Sequence, residues 1–88
     1  MNSNFSVLDF KSHHMPLDYV EYHFNIRRLD NRHRVVITES AFNVYVTIES
    51  LDHDSDWRHV PGSSVSFGKL KISSAMKFAR EIYDTWNP

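Results

Sequence analysis

Arg27, Arg28, Arg32, His33 and Arg34 stand within eight positions and hold four of the ten Lys and Arg residues of the chain. A guanidinium presents its N–H groups as a rigid planar fork, so a cluster of this kind matches carboxylate or phosphate in two-point geometry. Tyr19, Tyr45 and Trp57 fall outside the main apolar registers, and exposed aromatics beside arginine are the usual substance of binding hot spots. The candidate partner-binding residues are therefore Arg27, Arg28, Arg32, Arg34, Tyr45 and Trp57. An acidic stretch at 49–56 balances the arginines, and the two together predict an electrically lopsided molecule with a net charge of only −1.

Other chemistries find little footing. Six histidines invite a metal site, yet adjacent His13 and His14 point to opposite faces of a strand, no HExxH pair occurs, and His23, His33, His53 and His59 fall in separate elements. Asp52, Asp54 and Asp56 form a D-x-D-x-D run, but a calcium loop needs glycine at its sixth position and glutamate at its twelfth, and here these are Trp57 and Ser63. The chain has no cysteine, no serine in a G-x-S-x-G elbow, and only Gly62 and Gly68 from which to build a phosphate loop. The expectation is a protein with no catalytic residues, no metal and no cofactor.

Composition agrees with a single folded unit. With 88 residues there is room for one domain, and 41% hydrophobic, 14% aromatic and 24% charged residues sit near globular averages. A near-zero net charge predicts neither the field of a dedicated nucleic-acid binder nor the acidic skin of a nucleic-acid mimic. No apolar run approaches the ~18 to 20 residues that span a bilayer, and residues 1–16 lack the basic start and continuous apolar stretch of a signal peptide. A cytoplasmic protein without membrane partners is expected.

The elements that must hold the candidate residues follow from hydrophobic period. Residues 1–17 predict a tail or a short edge strand, and residues 18–88 a single α+β domain. In 19–29, Val20, Tyr22, Phe24 and Ile26 alternate with polar residues, the period of a strand with one buried face. Asp30 and Asn31 supply turn chemistry, and residues 34–39 return as a second strand. Residues 42–51 alternate again, with Phe42, Val44, Val46 and Ile48 on one face. Trp57 and Val60 are left in a loop or bulged segment, and 65–72 predicts a fourth strand with Gly68 at its middle. From Ser73 or Ser74 as cap, Ala75, Phe78, Ala79, Ile82 and Trp86 recur at helical spacing, with Met76 and Tyr83 flanking. The predicted layout is ββββα, an antiparallel meander of three to four strands packed on one C-terminal helix.

These readings point first to a non-catalytic protein-binding module acting as a small inhibitor or adaptor, a format shared with phage-encoded counter-defence proteins such as anti-CRISPRs. The alternative is nucleic-acid binding through Arg27, Arg28, Arg32 and Arg34, since the element order is similar to that of integrase arm-type modules, which lay a three-stranded sheet in the major groove. A homodimer formed through an uncovered edge strand is a further expectation.

Overall fold

The alternation that begins at Tyr19 becomes the antiparallel meander of an α+β fold. The computed structural model describes residues 12–14, as backbone, and residues 19–88. Its strands are β1 (Ser12–His14), β2 (Tyr19–Asn25), β3 (His33–Ser40), β4 (Val44–Leu51), β5 (Trp57–His59) and β6 (Val65–Ser66), and the chain then enters helix α1 (Ile72–Thr85). Strands β1 to β5 lie in chain order, each antiparallel to the next, and β6 also pairs with β4. This is the ββββα layout of β1 to β4 and α1, with the short strands β5 and β6 both added along β4.

Register decides which residues meet the helix. Phe24 pairs with Val35 and Val35 with Ile48, while Tyr22, Ile37 and Val46 form the next row, so one face is apolar from β2 to β4. Helix α1 packs across β3 and β4 on that face. It presents Ala75 and Ala79, both at 0% exposure, with Ile82 and Tyr83 beside them. Two alanines one turn apart let the helix axis approach the sheet closely, and each larger aliphatic or phenylalanine side chain buried beneath them contributes about 1.5 to 3 kcal/mol. Tyr83, which the periodicity places at the flank, is thus central to the stripe, while Phe78 and Trp86 are half-buried at its margins.

The break between β5 and β6 is a wide bulge. Glu49 opposes His59 and Val46 opposes Val65, so the five residues 60–64 face only Thr47 and Ile48. An edge distorted in this way loses ladder bonds, and here side chains restore them. The Ile48 N–H donates to Ser63 Oγ at 3.1 Å, and Ser63 Oγ donates to the Val60 carbonyl at 2.7 Å. Thr47 and Ser64 share a hydroxyl–hydroxyl bond.

Several predicted boundaries move. Trp57 and its neighbours pair with β4 and form a strand rather than a loop. Residues 67–71 are not strand, because Gly68 (φ 82°) and Leu70 (φ 61°) adopt left-handed backbone and turn the chain into the helix. The helix therefore starts at Ile72, Lys71 occupies the N-cap position without a side-chain cap bond, and Ser73 and Ser74 lie inside the first turn instead of capping it. Phe42 is not a core residue of β4; it sits in the β3–β4 turn and is 88% exposed.

The face opposite the helix also carries buried groups: His23, Val36, Thr38, Thr47 and Glu49. Residues 5–10, which the sequence suggests as a cover for its aromatic rings, lie outside the described residues. Among the described residues no helix is long and apolar enough to cross a membrane.

Candidate functional site

The arginines expected to form one patch are dispersed by the fold. Arg28 lies in the β2–β3 loop and reaches the C-terminus of α1, where its Nε donates to the Tyr83 carbonyl at 2.7 Å and its Nη2 to the carbonyls of Ile82, at 3.2 Å, and Trp86. The last carbonyls of a helix have no intrahelical partner and carry its partial negative charge, and this helix has no basic residue in its own last turn. Arg28 supplies both the donors and the charge. Arg32 points elsewhere, its Nη2 donating to the carbonyls of Leu51 at 2.8 Å and Asp52 at 3.1 Å. Arg27 is exposed in the same loop.

Asp30 organises this loop. Its Oδ1 accepts the Arg32 N–H at 2.9 Å and lies 3.0 Å from His33 Nδ1. Those bonds, from His33 first and the Arg32 amide second, hold its carboxyl below the usual range. Asn31 takes the left-handed geometry its side chain tolerates, at φ 58°. His33 also lies against Trp86, with ring centroids 5.4 Å apart, so the loop grips the helix end by ring contact as well as by hydrogen bonds.

The acidic turn lies beside this loop rather than apart from it, as the Leu51 N–H donating to the Arg32 carbonyl shows. Asp52 is consumed internally: Oδ1 accepts the N–H groups of Asp54 and Asp56 and Oδ2 pairs with Arg58. The Arg58 bond first, then the Asp56 amide, lowers its pKa. The expected lopsided charge is therefore corrected. Opposite charges meet at one end of the sheet and offset each other.

Arg34 and Trp57 do come together, on the sheet face away from the helix. The guanidinium lies 4.1 Å from the Trp57 ring centroid and 2.7 Å from Glu49 Oε1. His59 Nε2 is 3.4 Å from the other Glu49 oxygen. Each charged group here has an opposite neighbour, and Arg34 is only 17% exposed, so this cluster braces β3, β4 and β5 against one another. Among the described residues no group of three or more His, Cys, Asp or Glu gathers as metal ligands would.

Tyr45 belongs to a different neighbourhood. Its strand partner is Ser66, and Ser66 Oγ donates to Asn43 Oδ1 at 3.0 Å. The same Asn43 oxygen accepts the Gly68 N–H at 3.0 Å, and the Val44 N–H donates to the Gly68 carbonyl. One asparagine side chain thereby joins the β3–β4 turn to the segment leading into the helix. Around this junction stand all the large hydrophobic side chains that the described structure exposes: Phe42 at 88%, Leu70 at 81%, Val65 at 38% and Tyr45 at 36%. Lys69 and Lys71 flank Leu70 and are exposed as well. Comparison with protein-family models, curated proteins and solved structures finds no match.

Sequence reasoning names Tyr45 but misses Phe42 and Leu70. Phe42 fits the alternation of 42–51, and Leu70 falls within the strand predicted at 65–72. The available signal was the Ser40 to Asn43 spacing, which closes a turn: Ser40 Oγ accepts the N–H groups of both Phe42 and Asn43, at 3.3 and 3.2 Å.

Proposed function

We propose that this chain is a non-catalytic protein-binding module, a small inhibitor or adaptor in the format of phage counter-defence proteins, and that it holds its partner with the turn end bearing Phe42, Tyr45, Val65 and Leu70. The observation that carries this reading is the exposure of Phe42 and Leu70 on the two turns that Asn43 joins, with Tyr45 on one sheet face and Val65 on the other at the same end. A single exposed apolar residue is ordinary, but two large ones almost wholly exposed on joined turns favour an interaction surface. Phe42 and Leu70 gain nothing from folding where they stand, whereas sealing each against a partner is worth about 1.5 to 3 kcal/mol.

Arg28, Arg32 and Arg34 each direct fork nitrogens to oxygens of this chain. That favours protein binding over the nucleic-acid reading, which needs those guanidinium groups for phosphate or base edges. The described edge opposite β1 is short and bulged, which favours a distinct partner over strand pairing with a second copy. The absence of cysteine accords with a reducing, cytoplasmic setting.

The test is affinity capture at cell-like salt, followed by calorimetric titration of the captured partner. Phe42→Ser with Tyr45→Ser is expected to weaken the complex about tenfold or more. Arg32→Ala is expected to leave it unchanged. Salt-sensitive binding of DNA or RNA, lost on Arg32→Ala with Arg34→Ala, would instead install the nucleic-acid reading.

A further inference from the structure

We infer that Leu70 and Phe42 are two prongs of one anchor that enters an apolar pocket edged by Asp and Glu carboxylates on a partner protein, an inference that rests on the protein-binding reading. Leu70 is the decisive residue. Its φ of 61° lies in the left-handed region, where the Cβ of an L-residue crowds the following carbonyl oxygen. Of the other described positions with positive φ, Asn31, Gly62 and Gly68 carry residues that suit it, and Ser55 a small polar one; only Leu70 is large and apolar. At position 70 a bulky γ-branched side chain takes the strained backbone and then points into water at 81% exposure. Glycine or asparagine would serve the turn better and expose less apolar surface. Neither the backbone nor the core of the free protein gains from leucine, so the gain lies outside it.

Phe42 stands on the other side of the same junction and is fixed by it. The Asn43 side chain, next in sequence, bonds the Gly68 amide two residues before Leu70. The prongs are thus presented on two turns tied by one side chain, which lowers the ordering cost of docking.

Charge selects the occupant. Lys69 and Lys71 bracket Leu70, and the first turn of α1 has neither an acidic residue nor a side-chain cap, so its amides add the same sign. A second copy docked face to face would set lysine against lysine. An anionic membrane is usually recognised by clusters of ~4 to 8 basic residues, and this end offers two lysines on a chain of net charge −1. A protein pocket with carboxylates at its rim satisfies the apolar prongs and the lysines together.

The experiment places the photo-crosslinker p-benzoylphenylalanine at position 42 of the full chain in the cells that make it, maps the crosslinked peptide, and titrates the purified partner against variants. The expected result is a single protein crosslinked within a few residues of Asp or Glu. Leu70→Asn should melt about 4 °C or more above the parent yet bind about tenfold or more weakly, a combination that loss of fold does not produce. Lys69→Glu with Lys71→Glu should weaken binding to a similar degree, and Lys77→Glu on the outer helix surface should not. A Leu70→Asn protein that melts lower, or that melts higher and binds as before, overturns the anchor while leaving the protein-binding reading in place. Unchanged affinity in the Lys69, Lys71 double variant overturns the carboxylate rim in the same way. Crosslinking to a second copy, or to vesicles of phosphatidylcholine mixed with phosphatidylserine in place of a protein, overturns both readings, as does the absence of any protein crosslink from position 42.

Discussion

The two ends of the sheet are built on opposite principles. At one end the β2–β3 loop, the acidic turn and the C-terminus of α1 bring together Arg28, Arg32, Arg58, Asp30 and Asp52, and every one of these charged side chains is bonded to an oxygen or amide of the same molecule. At the other end the β3–β4 turn and the approach to the helix are joined by neutral side chains, Ser40 and Asn43, and what they present to solvent is phenylalanine, leucine and lysine. A concentration of charge in sequence thus marks the closed end, where it holds the fold, and the open end carries the binding reading. Formal charge is a poor guide to a binding surface when acceptors lie within reach of every donor.

The sharpest test of that contrast is a charge placed at each end. Ile82→Asp puts a carboxylate against the core and is expected to cost about 3 to 5 kcal/mol, most of the stability of a domain near the ~5 kcal/mol lower end of the usual range, so the variant should melt far below the parent. Phe42→Asp should keep a native circular dichroism spectrum and melt within a few degrees of the parent. Unfolding of the Phe42 variant would show that the turn end is core after all.

Arg28→Ala comes next. Removing the fork takes the donor from the Tyr83 carbonyl, while the Ile82 carbonyl keeps the Trp86 N–H, and the expected loss of about 2 kcal/mol would lower the melting temperature by roughly 8 to 16 °C. Arg28→Lys keeps the charge but not the fork and should fall between. At the open end, Asn43→Ala removes the acceptor shared by Ser66 and Gly68 and should cost about 1 kcal/mol. Its effect on partner affinity should be the larger one, since the two prongs lose their common tether.

The smallest expected effect is of pH. Asp30 and Asp52 have carboxyls held below their ordinary range in the folded protein, so their bonds stabilise it above that range, and the contribution is lost as pH falls through and below it. Amide-exchange protection factors measured by NMR, corrected for the intrinsic rate at each pH, should therefore fall in acid at Arg32, Asp54 and Asp56. The amides of Phe42 and Asn43, bonded to a hydroxyl, should not respond. Equal acid sensitivity at both ends would erase the distinction.

The layout was legible because β2, β3 and β4 alternate cleanly and α1 changes the period. Phe42 was misplaced because alternation continues through a turn that is made by the Ser40 side chain, and no hydropathy pattern records a side chain bonding its own backbone. β5 was missed because three residues, two of them basic, carry too little period to announce a strand. Leu70 had no signal at all: a bulky leucine is not expected in left-handed backbone, and Gly68 read as a mid-strand irregularity rather than as the exit from β6. The role of Arg28 depends on carbonyls more than fifty residues away. One hint was present, since a helix without a basic residue in its last turn needs its cation from elsewhere.

That long reach bears on the order in which the molecule assembles. The bonds from Arg28 to the carbonyls of Ile82, Tyr83 and Trp86 close the widest loops of any arginine contact described here, and they span the β2–β3 and β3–β4 hairpins. Contacts of this kind form late, after the hairpins have met most of the cost of loop closure. Arg28 therefore acts as a latch on the finished fold: losing it should hasten unfolding far more than it slows folding.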